Sequence, residues 1–120
     1  MRELKTVQTK CKLNTVMAVD EKGNGGANHH YIITNLDQPD DIIAEILLQN
    51  GARKEEGSVR GIIDTDLLEI CKDRLVDFQN GPFANKYNAE ALIYVTKALE
   101  SLNQRIEDRE ARNVLGKNIQ

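Results

Sequence analysis

The sequence predicts an α+β protein, with an N-terminal antiparallel β-sheet packed with a C-terminal αα-hairpin of two unequal helices. Three observations lead there. Apolar residues of the first half recur at every second position, those of the second half recur at spacings of three and four, and a Gly-Pro pair splits the helical half into a short and a long piece. At 120 residues the chain has room for a single domain, with a β-rich part over 1–63 and a helical part over 64–120.

Cys11, Leu13, Thr15, Met17 and Val19 occupy alternate positions against Lys10, Lys12 and Asn14, the pattern of a half-buried strand. Gly23-Asn24-Gly25-Gly26 breaks that segment. The next one, from His29 to Thr34, is rich in β-branched residues and predicts an antiparallel hairpin with the first over a long loop. After Pro39-Asp40-Asp41, the run from Ile42 to Leu48 suits either a strand or a short helix. A strand is preferred, because Gln49-Asn50-Gly51 reads as a turn and the stretch from Gly57 to Ile63 as a short return strand.

The period then changes. Asp64-Thr65-Asp66 supplies N-cap candidates and first-turn acids, and Leu68, Cys71, Leu75 and Phe78 follow at helical spacing. Asn80-Gly81-Pro82 ends this helix, the glycine suiting a left-handed cap and the proline unable to continue. A longer helix runs from about Ala84 to Arg112, with Leu92, Val95, Leu99, Leu102 and Ile106 forming a heptad-like seam. The short connection makes the two helices antiparallel neighbours of roughly 22 Å and roughly 43 Å. The overhang requires the sheet or another subunit to pack on.

Composition narrows the function. No run approaches the ~18 apolar residues of a membrane span, and the N-terminus has no apolar signal-peptide core, so a soluble cytoplasmic protein is expected, with no membrane partner. Cys11 and Cys71 stand far apart without a C-x-x-C pattern and are expected to be buried free thiols. A net charge of -3 argues against binding nucleic-acid polymers, yet it leaves room for a small anion at a local basic cluster. A domain this small holds little core, which favours oligomerisation.

Catalysis finds no foothold. The glycine cluster lacks phosphate-loop spacing and is followed by a strand, where a phosphate site would need a helix N-terminus. His29 and His30, if they lie on a strand, point to opposite faces and cannot share a metal. Asp40-Asp41 and Glu55-Glu56 sit in solvated loop sequence. The expectation is therefore no catalytic residue, no metal and no cofactor.

The polar ends of the helical seam are more telling. Extending it backwards by four reaches Asn88, and extending it forwards by three reaches Arg109. The hairpin turn brings Asn88 near Phe78, and an amide with a ring beside it can hydrogen-bond and stack an adenine. The plainer alternative is a core phenylalanine beside a capping or helix-contact asparagine. Arg105, Arg109 and Arg112, followed by Lys117, share one face and match phosphate recognition, or else simply favour a helix C-terminus and pair with Glu107, Asp108 or Glu110. Of five aromatic residues, Phe78, Phe83, Tyr87 and Tyr94 gather around the hairpin turn.

The run Phe78-Gln79-Asn80-Gly81-Pro82-Phe83-Ala84, followed by Asn88-Ala89, Arg105, Asp108-Arg109-Glu110-Ala111-Arg112 and Gly116, resembles the helical hairpin of the phage Thoeris anti-defence proteins, a hairpin shared with anti-CBASS nucleotide sponges. Asn28-His29-His30-Tyr31, Gln49-Asn50-Gly51 and Gly61-Ile62 are similar to the sheet part of the Thoeris type. The resemblance implies a protein of the infected host's cytoplasm that sequesters a nucleotide immune signal without cleaving it. The implied ligand is glycocyclic ADP-ribose, made from NAD by a TIR-domain protein, and some members also hold cyclic di- or trinucleotides. It implies a homo-oligomer, from dimer to hexamer. By the same resemblance Phe78 and Asn88 read the adenine, while Arg53, Arg105 and Arg109, with Arg112 in addition, contact phosphate or ribose at subunit junctions. Two rival classes stand beside it: an enzyme degrading the signal, and an interaction module that blocks a host defence protein directly.

Overall fold

The computed structural model describes residues 1–112 and divides the chain into two compact units, Met1–Ile62 and Ile63–Gln120. Four strands make the first unit: β1 (Arg2–Glu3), β2 (Asn14–Ala18), β3 (His30–Asn35) and β4 (Ile42–Leu47). They pair in chain order as an antiparallel sheet, each strand lying beside its neighbour in sequence. Register puts Val16 opposite Ile33 and Ala18 opposite Tyr31, and β4 adds Ala44 beside Ile33 and Ile46 beside Tyr31. One sheet face is therefore apolar across three strands, with Ala18 only 1% exposed. The opposite face mixes Met17, Ile32 and the buried Thr34 with His30 and Glu45, whose side chains meet at 2.8 Å. Between Ile33 and Thr34 the register slips, so Ile43 is the extra residue of a bulge in the edge strand.

The expected hairpin of the first two alternating segments is present as β2 and β3, and the strand reading of Ile42 to Leu48 holds as β4. Two corrections apply. The strand expected from Cys11 to Val19 is β2 and begins only at Asn14, leaving Cys11 exposed and Leu13 78% exposed. The anticipated return strand is reduced to two isolated bridges, in which Asn50 and Val59 exchange hydrogen bonds of 2.9 and 2.8 Å and Ile62 binds Leu47 and Gln49. Gly61 permits the second bridge: a Cβ there would lie 2.5 Å from the Leu47 carbonyl oxygen, so only glycine lets this backbone approach β4 so closely.

The second unit is an αα-hairpin of α1 (Asp64–Gln79) and α2 (Lys86–Ala111), in contact with each other. At 16 and 26 residues they span about 24 Å and about 39 Å. The N-cap of α1 is Ile63 rather than one of the acids after it; the Asp66 carboxylate reaches back and accepts the Ile63 N–H at 2.9 Å. At the other end Asn80 closes the helix in right-handed geometry, and Gly81 is not among the glycines of positive φ, so the expected left-handed cap is absent. The helix stops there because Pro82 offers no N–H.

In α1 the less exposed positions include Thr65, Leu68, Lys72, Leu75 and Gln79, again at spacings of three and four. This row shares only Leu68 and Leu75 with the apolar stripe read from sequence, and Cys71 and Phe78 lie exposed on its flank. Both cysteines are thus free but exposed, not buried. In α2 the seam keeps the expected phase: Leu92, Val95, Leu99, Leu102 and Ile106 are half-buried, and Asn88 and Arg109 continue it at either end. No described helix is long and apolar enough to cross a membrane.

Candidate functional site

The hairpin turn is fixed by asparagine chemistry. Asn85 is the N-cap of α2, its side-chain oxygen accepting the Asn88 N–H at 2.9 Å and its amide donating to the Phe83 carbonyl at 3.0 Å. Its own backbone N–H donates to the Gln79 side chain at 3.0 Å, tying the end of α1 to the start of α2. Phe78 is in the last turn of α1 and Asn88 in the first turn of α2, so both stand at this end of the hairpin. The capping asparagine is Asn85, which leaves the Asn88 side chain to other uses. Among the described residues that side-chain amide makes no hydrogen bond, although it is half-buried.

Phe78 is 38% exposed, too open for a core ring. The Arg74 guanidinium lies 5.2 Å from its ring centroid, a cation over a π face. Arg74 was not singled out by the sequence reading, though its place one turn before an aromatic residue was the available signal. An exposed ring, an amide without a hydrogen-bond partner and a cation at one end of a hairpin can stack a flat heterocycle, bond its edge and attract a neighbouring negative charge.

Arg105 and Arg109 lie one turn apart on α2, the former exposed and the latter half-buried. Arg112 is the C-cap, just past the helix, and pairs with Asp108 at 3.0 Å, the arrangement favoured at a helix C-terminus. Gly116 and Lys117 lie outside the described residues. From Asn88 to Arg105 is about 26 Å along the helix, and to Arg109 about 32 Å. The two halves of the candidate set are therefore at opposite ends of α2, and one small ligand cannot touch both within a chain.

Arg53 belongs to the other unit. It is exposed on a turn closed by the Glu55 N–H and the Ala52 carbonyl at 2.8 Å, within the loop bounded by the Asn50–Val59 bridge. A polar cluster at the same end of the sheet has its hub in Asn28, 6% exposed. Asn28 accepts from Arg2 at 2.8 Å and donates to the Asp20 carbonyl at 2.7 Å and carboxylate at 3.1 Å. Partial burial pushes the Asp20 carboxyl up, but hydrogen bonds from the His29 backbone, the Asn28 amide and the His30 backbone outweigh it and hold the group below the ordinary carboxylate range. His29 is engaged with the Asn24 carbonyl and His30 with Glu45. Among the described residues no cluster of three His, Cys, Asp or Glu side chains is disposed to hold a metal ion.

No protein-family model matches the chain. Over 74 residues it is 36% identical to Thoeris anti-defense 1 of Bacillus phage SBSphiJ7, an alignment covering 62% of this chain and 51% of that protein. The chain thus spans about half the length of this curated relative.

Proposed function

Taking as premise that the chain is a relative of the Thoeris anti-defence proteins, we propose that it is a phage anti-Thoeris protein that binds the TIR-generated signal glycocyclic ADP-ribose and holds it unchanged in the host cytoplasm. The observation that carries the reading is the presence, at one end of the hairpin, of an accessible Phe78 ring and of an Asn88 amide that has no protein partner among the described residues. In this reading the ring stacks the adenine and the amide bonds its edge, while Arg105 and Arg109 take the phosphates. Guanidinium groups suit that task, because a phosphate buried without a partner is costly and a bidentate pair offsets its desolvation.

The separation of about 26 Å between Asn88 and Arg105 gives the reading a further condition. A complete site needs two copies, the turn of one hairpin meeting the arginine end of another, so the binding form is a homo-oligomer, a dimer or a larger assembly such as a hexamer. Arg112, at the same end of α2, and Arg53, in the other unit, are the further candidates for phosphate and ribose contacts. Cyclic di- and trinucleotides, which offer the same purine and phosphate groups, are the second ligand class to examine.

The test separates sequestration from turnover. Purified protein is incubated with glycocyclic ADP-ribose, freed of unbound ligand and heated, and the released molecule is examined by chromatography and mass spectrometry. Recovery of the unaltered compound in proportion to protein is expected. A product of changed mass would establish an enzyme instead, and absence of bound nucleotide together with capture of a host defence protein would establish a direct interaction module.

A further inference from the structure

We propose that Asn24 is a positioning residue, clasping the Arg53-bearing loop to the β2–β3 loop so that Arg53 is presented in one place; this rests on the ligand role given to Arg53 above. The Asn24 side chain donates to the Asn50 side-chain oxygen at 2.8 Å, linking residues 26 positions apart in the chain. Asn24 is itself held from behind, its carbonyl lying 2.9 Å from His29 Nε2. The β2–β3 loop is braced by the Gly23 N–H to the Ala27 carbonyl, by the Gly26 N–H to the Gly23 carbonyl, and at its base by Asp20, which accepts from the His29 N–H and the Asn28 amide. The donor therefore projects from an anchored support.

Across the gap, Asn50 begins the loop that carries Arg53. Its backbone closes that loop with Val59, and Gln49 bonds the Gly51 carbonyl and the Gly61 N–H, so the loop's base is also fixed. Gly51 lies between them at φ +91, and a Cβ there would sit 3.2 Å from the Asn24 side-chain nitrogen. Glycine is thus favoured at position 51 by the backbone conformation, and a side chain there would press on the Asn24 amide. From Gly51 to Arg53 is two residues, and among the described residues Arg53 enters no ion pair or side-chain hydrogen bond of its own. The place of this long cation is set by the loop, and the loop is set by the clasp.

A double-mutant cycle tests this. Asn24→Ala, Asn50→Ala and Arg53→Ala, singly and with Arg53→Ala added to each clasp variant, are titrated calorimetrically with glycocyclic ADP-ribose. Loss of one neutral hydrogen bond predicts roughly three- to tenfold weaker binding for each clasp variant. In the Arg53→Ala background neither should weaken binding further, a result that a merely structural role would not produce. Tryptic cleavage after Arg53 should also quicken in Asn24→Ala without ligand. Undiminished effects in the Arg53→Ala background, unchanged affinity in both clasp variants, or an unchanged cleavage rate would each overturn the assignment. Quicker cleavage combined with no binding by the unmodified protein would instead locate the failure in the ligand reading.

Discussion

Replacing Phe78 by alanine is the most direct probe of the hairpin site, because the structure separates its folding cost from its binding cost. A fully buried Phe→Ala change costs ~3–5 kcal/mol. Phe78 is 38% exposed and flanks the half-buried row of α1, so roughly 1–2 kcal/mol is expected here, part of it the loss of the Arg74 contact at about 0.5–1 kcal/mol. Stacking of a base on an aromatic ring is worth ~1–3 kcal/mol, which corresponds to a dissociation constant about five- to 150-fold higher. Calorimetric titration with glycocyclic ADP-ribose measures that change, while circular dichroism and a melting curve establish that the variant is folded. Phe78→Leu retains apolar volume and should lose most of the affinity, whereas Phe78→Tyr should keep it. Phe83→Ala, at a ring 76% exposed in the turn itself, serves as a folding-neutral control. A folded Phe78→Ala protein binding within about twofold of the unmodified one would remove the ring from the site and refute the stacking argument.

Two further outcomes follow from the hydrogen-bond geometry. Asn85→Ala removes the cap of α2 and should cost about 1 kcal/mol of stability, with Asn85→Ser recovering most of it, as read by the melting temperature of the helical signal. Acidification should act through Asp20: since its folded pKa is depressed, its contribution is present above the unfolded value of about 3.9 and is lost as the pH falls through the lower folded value. Amide exchange at His29, whose N–H bonds the Asp20 carboxylate at 3.0 Å, should therefore accelerate below about pH 4, beyond the intrinsic pH effect, and Asp20→Asn should abolish that excess. A persistent excess in the variant would show that another group governs the loop.

How much the sequence disclosed depended on whether a feature has a period. The seam of α2 was legible from Asn88 to Arg109, because a spacing of three and four sustained over six turns fixes the helical phase. In the 16-residue α1 it was not. Two rows one position apart both satisfy the spacing, and the protein shelters the one containing Thr65, Lys72 and Gln79, whose aliphatic stems can lie along a neighbouring helix. Cys71 and Phe78 consequently emerged on the surface, against the general tendency of both residue types. β1, two residues long, has no period to detect, and the Asn28 and Asn24 contacts join loop residues that only the strand pairing brings together. The cap of α2 is Asn85 and not Asn88, three positions on, because a cap belongs to the turn before the helix and lies outside the period of the seam.

The ten residues by which α2 exceeds α1 impose a rule on how this protein can change length. Each residue inserted before Arg105 turns everything beyond it by about 100° and advances it by about 1.5 Å. A single insertion would turn Arg105 and Arg109 by about 100° relative to Asn88, while seven would nearly restore their bearing and move the arginines about 10 Å outward. Sequence drift in this helix is therefore filtered by rotation more strictly than by distance. Relatives that differ by whole heptads could keep the same surface and grip a partner farther away, whereas those differing by one or two residues would have to rebuild it.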